Sequence, residues 1–85
     1  MHIRLLYFAR LREAFGTAAE EIGLPEHITT VANLLIWLRA RGGNWASELA
    51  EGRAFRVAVD QEMASPATAL DEGAEVAIFP PVTGG

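Results

Sequence analysis

Only one segment of this chain carries a sustained helical pattern of apolar residues, and that restricts the folds available to it. In residues 31–43 the apolar side chains recur at the spacing of one helix face, at Val31, Leu34, Leu35 and Leu38. A hydroxyl from Thr29 or Thr30 can cap the start of this helix, and Gly42 and Gly43 are typical of its end. Since 85 residues suffice for a single domain, the helix must cover one face of a sheet made from the other segments.

The segments on both sides of the helix alternate apolar and polar side chains, as β-strands do. Five strands are predicted, at residues 2–9, 18–24, 54–60, 62–64 and 75–79. The first two are expected to form a hairpin around Gly16, and short helical turns are expected at residues 10–15 and 44–50. The order β-β-α-β-β-β predicts an α+β domain with a mixed sheet and one main helix packed on one face. The predicted core consists of Ile3, Leu5, Tyr7, Ile22, Leu24, Val31, Leu34, Leu35, Leu38, Phe55, Val57, Val59, Leu70, Val76 and Ile78.

The composition excludes several classes of function. The chain has no cysteine and no lysine, and its histidines are His2 and His27. Disulfides, thiolate metal sites, cysteine nucleophiles and Schiff-base lysines are therefore excluded, and we expect no metal site. The net charge is −4, and the seven basic residues are unclustered arginines, which predicts binding to neither nucleic acid nor anionic membranes. No apolar run reaches the ~18 residues of a membrane span, and no signal-peptide pattern is present, so we expect a cytoplasmic protein.

The last six residues read Pro-Pro-Val-Thr-Gly-Gly. Such an end is often no more than exposed small residues. It also has a functional interpretation, because consecutive prolines favour an extended segment and two glycines without a Cβ can pass a narrow channel. The reactive group would then be the α-carboxylate of Gly85. Adenylation by ATP would activate this carboxylate, and sulfide could displace AMP to leave a thiocarboxylate.

Two segments carry a resemblance to a known family. The opening run LLYFARLREAFGT and, more specifically, the closing run LDEGAEVAIFPPVTGG resemble the small subunit of molybdopterin synthase, the MoaD family of ubiquitin-like sulfur carriers. The resemblance covers the whole chain, but the helix and the region of Trp45 agree in pattern only. Asp60 stands at a turn where the family would have asparagine, and both residue types tolerate turn geometry.

The resemblance implies a ubiquitin-like β-grasp domain over residues 1–80 and a projecting Gly-Gly tail over residues 81–85. It implies that an adenylyltransferase similar to ubiquitin-activating enzymes uses ATP to adenylate Gly85, and that a sulfurtransferase system then forms the thiocarboxylate. The tail, kept narrow by Gly84, would enter the active site of the synthase large subunit, in a heterotetramer of two small and two large subunits. There it would give sulfur to cyclic pyranopterin monophosphate in molybdenum cofactor biosynthesis. The chain itself would bind no cofactor and hold no catalytic site.

A β-grasp fold also implies that the first and last strands are neighbours, so that Phe8 and Phe79 share the sheet face opposite the core. Leu6, Ala58 and Ala77 would extend this surface. A contiguous apolar patch is more typical of a partner-docking surface than of scattered exposed side chains. The predicted partner-binding residues are Phe8, Met63, Phe79, Pro80, Pro81, Val82 and Thr83.

Three alternatives remain open, of which the first shares the fold and the Gly-Gly end. One is the sulfur carrier of the thiamine pathway, against which the Phe-Pro-Pro preceding the tail argues. The second is a ubiquitin-like modifier joined to target lysines, and the third is a non-covalent ubiquitin-like adaptor. Intact mass after co-expression with the activating enzyme separates a sulfur carrier from a modifier and from an adaptor.

Overall fold

The computed structural model describes residues 1–81, and within them the helices and strands follow the predicted order. They are β1 (His2–Tyr7), α1 (Ala9–Phe15), β2 (Ala19–Gly23), α2 (Val31–Arg39), α3 (Gly43–Glu48), β3 (Arg56–Val59), β4 (Glu62–Met63) and β5 (Glu75–Phe79). None of these helices is long and apolar enough to cross a membrane. The predicted site residues Val82, Thr83, Gly84 and Gly85 lie outside the described residues.

The five strands form one mixed sheet in the order β2-β1-β5-β3-β4. Its centre is the parallel pair of β1 and β5, in which Leu5 lies beside Val76, and the other neighbouring strands are antiparallel. The prediction of a mixed sheet with adjacent first and last strands is confirmed. The hairpin of β1 and β2 is also confirmed, although its connection contains the whole of α1 rather than a short turn around Gly16.

The core lies between one face of the sheet and the helices. Alternation along β1 puts Ile3, Leu5 and Tyr7 on this inner face, where they are almost completely buried against Leu34 and Leu38 of α2. The predicted core is confirmed except for four side chains that are half-buried at its rim: Ile22, Leu35, Phe55 and Val59. The structure adds four buried residues that the predicted core did not include: Leu11, Ile28, Leu49 and Ala74.

Helix α2 begins and ends through local hydrogen bonds. The Thr30 hydroxyl accepts from the backbone N–H of Asn33 at 3.2 Å, which confirms the predicted cap. The helix ends at Arg39, and Gly42 follows with φ +78°, a conformation that favours glycine. That turn leads directly into α3, which packs beside α1 and α2. The three helices thus lie on the inner face and leave the other face of the sheet uncovered.

Candidate functional site

The uncovered side of the sheet carries six apolar side chains that we call the outer apolar face: Leu6, Phe8, Ala58, Met63, Ala77 and Phe79. The strand register explains their alignment. Ala77 lies beside Leu6 on one side and Ala58 on the other, and Ala58 in turn pairs with Met63. One row of the face therefore crosses four strands, from β1 to β4.

Phe8 and Phe79 form the second row of the outer apolar face. Their ring centroids are 6.5 Å apart with an interplanar angle of 83°, an edge-to-face contact. Phe8 keeps 47% of its surface exposed and Met63 keeps 64%, whereas Phe79 is half-buried. Large apolar side chains this exposed favour a surface that another protein covers.

An open groove of about 560 Å³ runs over this face towards the end of the chain. Phe8 and Phe79 line it together with Pro80 and Pro81, so four of the predicted partner-binding residues come together. Met63 lies on the same face but does not line the groove, whereas Gln61 does. The predicted patch is thus contiguous with the last described residues before the Gly-Gly end.

A strained backbone turn holds Phe8 at this position. Ala9 has φ +53°, in the left-handed region that residues with a Cβ rarely adopt. Phe8 donates its N–H to the carbonyl of Ile78 at 3.3 Å, and its own carbonyl accepts from Leu11 at 3.1 Å and from Arg12 at 3.4 Å. Phe8 therefore stays attached to β5 while α1 leaves the sheet. The sequence offered no signal for this conformation, because alanine is typical of helices and not of positive φ.

A polar and aromatic cluster on the opposite side of β1 was not predicted. The Tyr7 hydroxyl donates to Glu20 at 2.7 Å, and Arg41 donates to both oxygens of the same carboxylate at 3.0 and 3.1 Å. The Arg41 guanidinium lies 4.4 Å from the ring centroid of Trp45, which stacks on Phe15 at 3.8 Å. The cluster ties β1 and β2 to the segment between α2 and α3.

The electrostatics of the cluster favour one protonation state. Burial, the hydrogen bond to Glu20 and its negative charge all raise the pKa of Tyr7 far above its ordinary value. Burial alone would raise the pKa of Glu20, but the hydrogen bonds from Arg41 and Tyr7 and the positive charge of Arg41 hold that pKa below its usual range. At neutral pH a neutral phenol and a charged pair therefore stabilise this side of the sheet.

The described residues offer docking geometry more than reactive chemistry. Within residues 1–81, no group of three or more His, Asp or Glu side chains is arranged to hold a metal ion. Neighbouring Glu20 and Glu21 point to opposite faces of β2, and Glu20 is engaged by Arg41. The arrangement can present an apolar surface and the segment that follows it to another protein.

Comparison with known proteins identifies the family of this chain. The sequence profile of the ThiS family matches residues 5–85. The chain is 41% identical over 83 residues to the molybdopterin synthase sulfur carrier subunit of Escherichia coli, and the match covers 98% of this chain and 99% of that protein.

Solved structures agree with the predicted ubiquitin-like β-grasp fold. A Pyrococcus furiosus chain described as putative molybdopterin converting factor, subunit 1, superposes with a TM-score of 0.80 at 29% identity, covering 96% of this chain and 99% of that one. Small archaeal modifier protein 1 of Haloferax volcanii superposes with a TM-score of 0.68 at 27% identity, covering 95% and 98%. The fold, the match from residue 5 to residue 85 and the near-full-length likeness to a sulfur carrier lead to one conclusion: the chain belongs to the ThiS family.

Proposed function

We propose that this chain is the sulfur-carrier subunit of a molybdopterin synthase and that it carries sulfur as a thiocarboxylate on Gly85. The observation that carries the proposal is the 41% identity to the E. coli carrier subunit, which extends over 99% of that protein. The family match supports it further, because it includes Gly84 and Gly85.

The chemistry divides into an adenylyl-transfer step and an acyl-transfer step. A carboxylate oxygen of Gly85 attacks the α-phosphorus of ATP, a new P–O bond forms, and pyrophosphate leaves. A sulfur nucleophile then attacks the acyl carbon, a C–S bond forms, and the C–O bond to AMP breaks. An adenylyltransferase supplies the first step and a sulfurtransferase system supplies the sulfur, so ATP is a substrate of the partner and not a cofactor of this chain.

The outer apolar face is the proposed docking surface for the large subunit of the synthase. Its edge-to-face pair, Phe8 and Phe79, lies beside Pro80 and Pro81 in one groove. A partner that covers this groove therefore also contacts Pro80 and Pro81, which immediately precede residues 82–85. In this proposal the large subunit contributes the catalytic groups, cyclic pyranopterin monophosphate is the sulfur acceptor, and the assembly is a cytoplasmic heterotetramer of two small and two large subunits.

Intact-mass spectrometry tests the proposal. The chain is incubated with ATP, the adenylyltransferase and a sulfur donor, and replacement of one oxygen by sulfur at the C-terminus is the expected result. Deletion of Gly85 is the matched variant, since it removes the proposed sulfur-carrying residue and leaves residues 1–81 unchanged. Sulfur incorporation and product formation at normal rates by the deletion variant would contradict the proposed carrier function.

A second candidate function is that of a protein modifier. The likeness to small archaeal modifier protein 1 favours it, at 27% identity over nearly the whole of both chains. The same measurement separates the two functions. A carrier gains sulfur and stays free, whereas a modifier forms amide-linked products with other proteins.

A further inference from the structure

We propose that this chain, once its C-terminal carboxylate is activated, does not acylate itself, and that none of its side chains is the acceptor in any amide-linked product. The inference rests on the proposed function, because it assumes activation at Gly85. The observation behind it is that the sequence contains neither lysine nor cysteine, although it contains seven arginines.

Self-acylation requires a nucleophile of a particular kind. The lone pair of an amine attacks the acyl carbon, a C–N bond forms, the bond to the leaving group breaks, and the amine proton passes to water. A thiolate would react in the same way to give a thioester. A guanidinium stays protonated at any physiological pH and has no free lone pair for this attack. A chain whose cations are all arginines therefore keeps its positive charges without supplying an acceptor.

The arginines fall into two groups in the structure. Some make contacts that a lysine could not reproduce: Arg41 donates from two nitrogens to Glu20, and Arg10 donates from two nitrogens to Glu48 and to the carbonyl of Ala54.

Arg56, in contrast, is exposed on the outer side of the sheet. It pairs with Phe79 in the register of β3 and β5, so it lies next to the chain end. A lysine at this exposed position would place an amine beside Phe79, six residues before the activated carboxyl group.

The α-amine of Met1 is also a nucleophile, and the fold places it away from Phe79. It donates to the carbonyl of Leu24 at 3.3 Å. Because β1 and β5 are parallel, Met1 lies at the opposite end of the sheet from Phe79. The seven residues from Met1 to Phe8 correspond to about 23 Å of strand. The five residues after Pro80 reach at most about 18 Å even when fully extended. Cyclisation onto this amine is therefore out of reach.

A chain prepared with a C-terminal thioester on Gly85, by intein cleavage, tests the inference without any activating enzyme. The wild-type chain is compared with Arg56→Lys, which adds an amine beside Phe79, and with Arg56→Gln, which removes the charge without adding one. Products are read by intact mass and by denaturing gel. We expect Arg56→Lys to form internal amides and amide-linked dimers. The other two chains should form no such products, and Arg56→Lys should react about as fast as the wild-type thioester does with millimolar free lysine, because a tethered amine has a millimolar effective concentration. Free lysine added to the wild-type thioester should convert it to a single adduct.

Each outcome decides the inference. Amide-linked products from the wild-type thioester, at a rate comparable with Arg56→Lys, would show that Met1 or another group is an acceptor and would overturn it. An inert Arg56→Lys chain, or a thioester that does not react with free lysine, would also overturn it, because the absence of lysine would then not be the cause. A parallel reaction with ATP and the adenylyltransferase tests the proposed function separately. Failure to form the acyl-adenylate there contradicts the carrier function and leaves the thioester result standing.

Discussion

Replacing Phe8 with alanine should weaken binding to the large subunit much more than it weakens the fold. Phe8 keeps 47% of its surface exposed, which is about 90 Å² of a phenylalanine side chain. Burying that area under a partner stabilises the complex by about 2 kcal/mol, so its loss should raise Kd roughly 30-fold. The part already buried against Phe79 is smaller than a core site, so we expect a loss of folding stability of about 1–2 kcal/mol.

Two control variants make this comparison sharp. Ile36→Ala removes a side chain that is 57% exposed on α2, away from the outer apolar face, and should leave Kd unchanged. Leu11→Ala removes a side chain that is 0% exposed and should cost about 2–5 kcal/mol of stability. Urea unfolding measures stability, and titration calorimetry with the large subunit measures affinity. If Phe8→Ala unfolds as easily as Leu11→Ala while its affinity per folded molecule is unchanged, the face assignment is inverted.

Four further predictions follow from the proposed function and the fold. Deleting Gly85, or replacing Gly84 with valine, should abolish thiocarboxylate formation by mass spectrometry with unchanged melting, and both variants should compete with the normal chain for the large subunit. The thiocarboxylated chain alone should give no product from the pyranopterin precursor; turnover without the large subunit at the rate of the complex would contradict this. Ala9→Gly should raise the free energy of unfolding by about 1 kcal/mol, because glycine accepts the positive φ. Since Glu20 has a lowered pKa in the folded chain, its stabilising effect is present above its ordinary pKa of about 4.3 and is lost as the pH falls through the folded value. Glu20→Gln should therefore have a lower free energy of unfolding than the wild-type chain at pH 7. Its free energy of unfolding should also fall less between pH 7 and pH 3, as measured by urea unfolding at both pH values.

Much of this fold is predictable because its strands alternate strictly. Ile3, Leu5 and Tyr7 on one side of β1, and Phe8 on the other, follow directly from that period. That Phe8 and Phe79 share one face was implied by the resemblance to the MoaD family, which places the first and last strands side by side. Leu11 was missed because α1 has seven residues, too few to show a helical period.

The cluster around Arg41 was missed for a different reason. Its residues come from β1, β2 and the turn after α2, and only the folded sheet brings Glu20 within 3.0 Å of Arg41. Pairings of this kind depend on tertiary structure, which local sequence periodicity does not predict. The positive φ of Ala9 is likewise imposed by tertiary structure, through the hydrogen bond from Phe8 to Ile78.

The parallel pairing of β1 with β5 has a consequence for how the chain folds during synthesis. The strand that completes the centre of the sheet is made last, and the backbone N–H of His2 is held by the Glu72 carboxylate, 70 positions further along the chain. Such non-local contacts make folding slow, because a long loop must close before they form. The core therefore cannot close until the ribosome has synthesised β5, because a nascent chain that stops short of Glu75 pairs β1 with β2 alone and lacks its parallel neighbour. Folding thus acts as a check on completeness, since only a chain translated through its last strand becomes a stable protein.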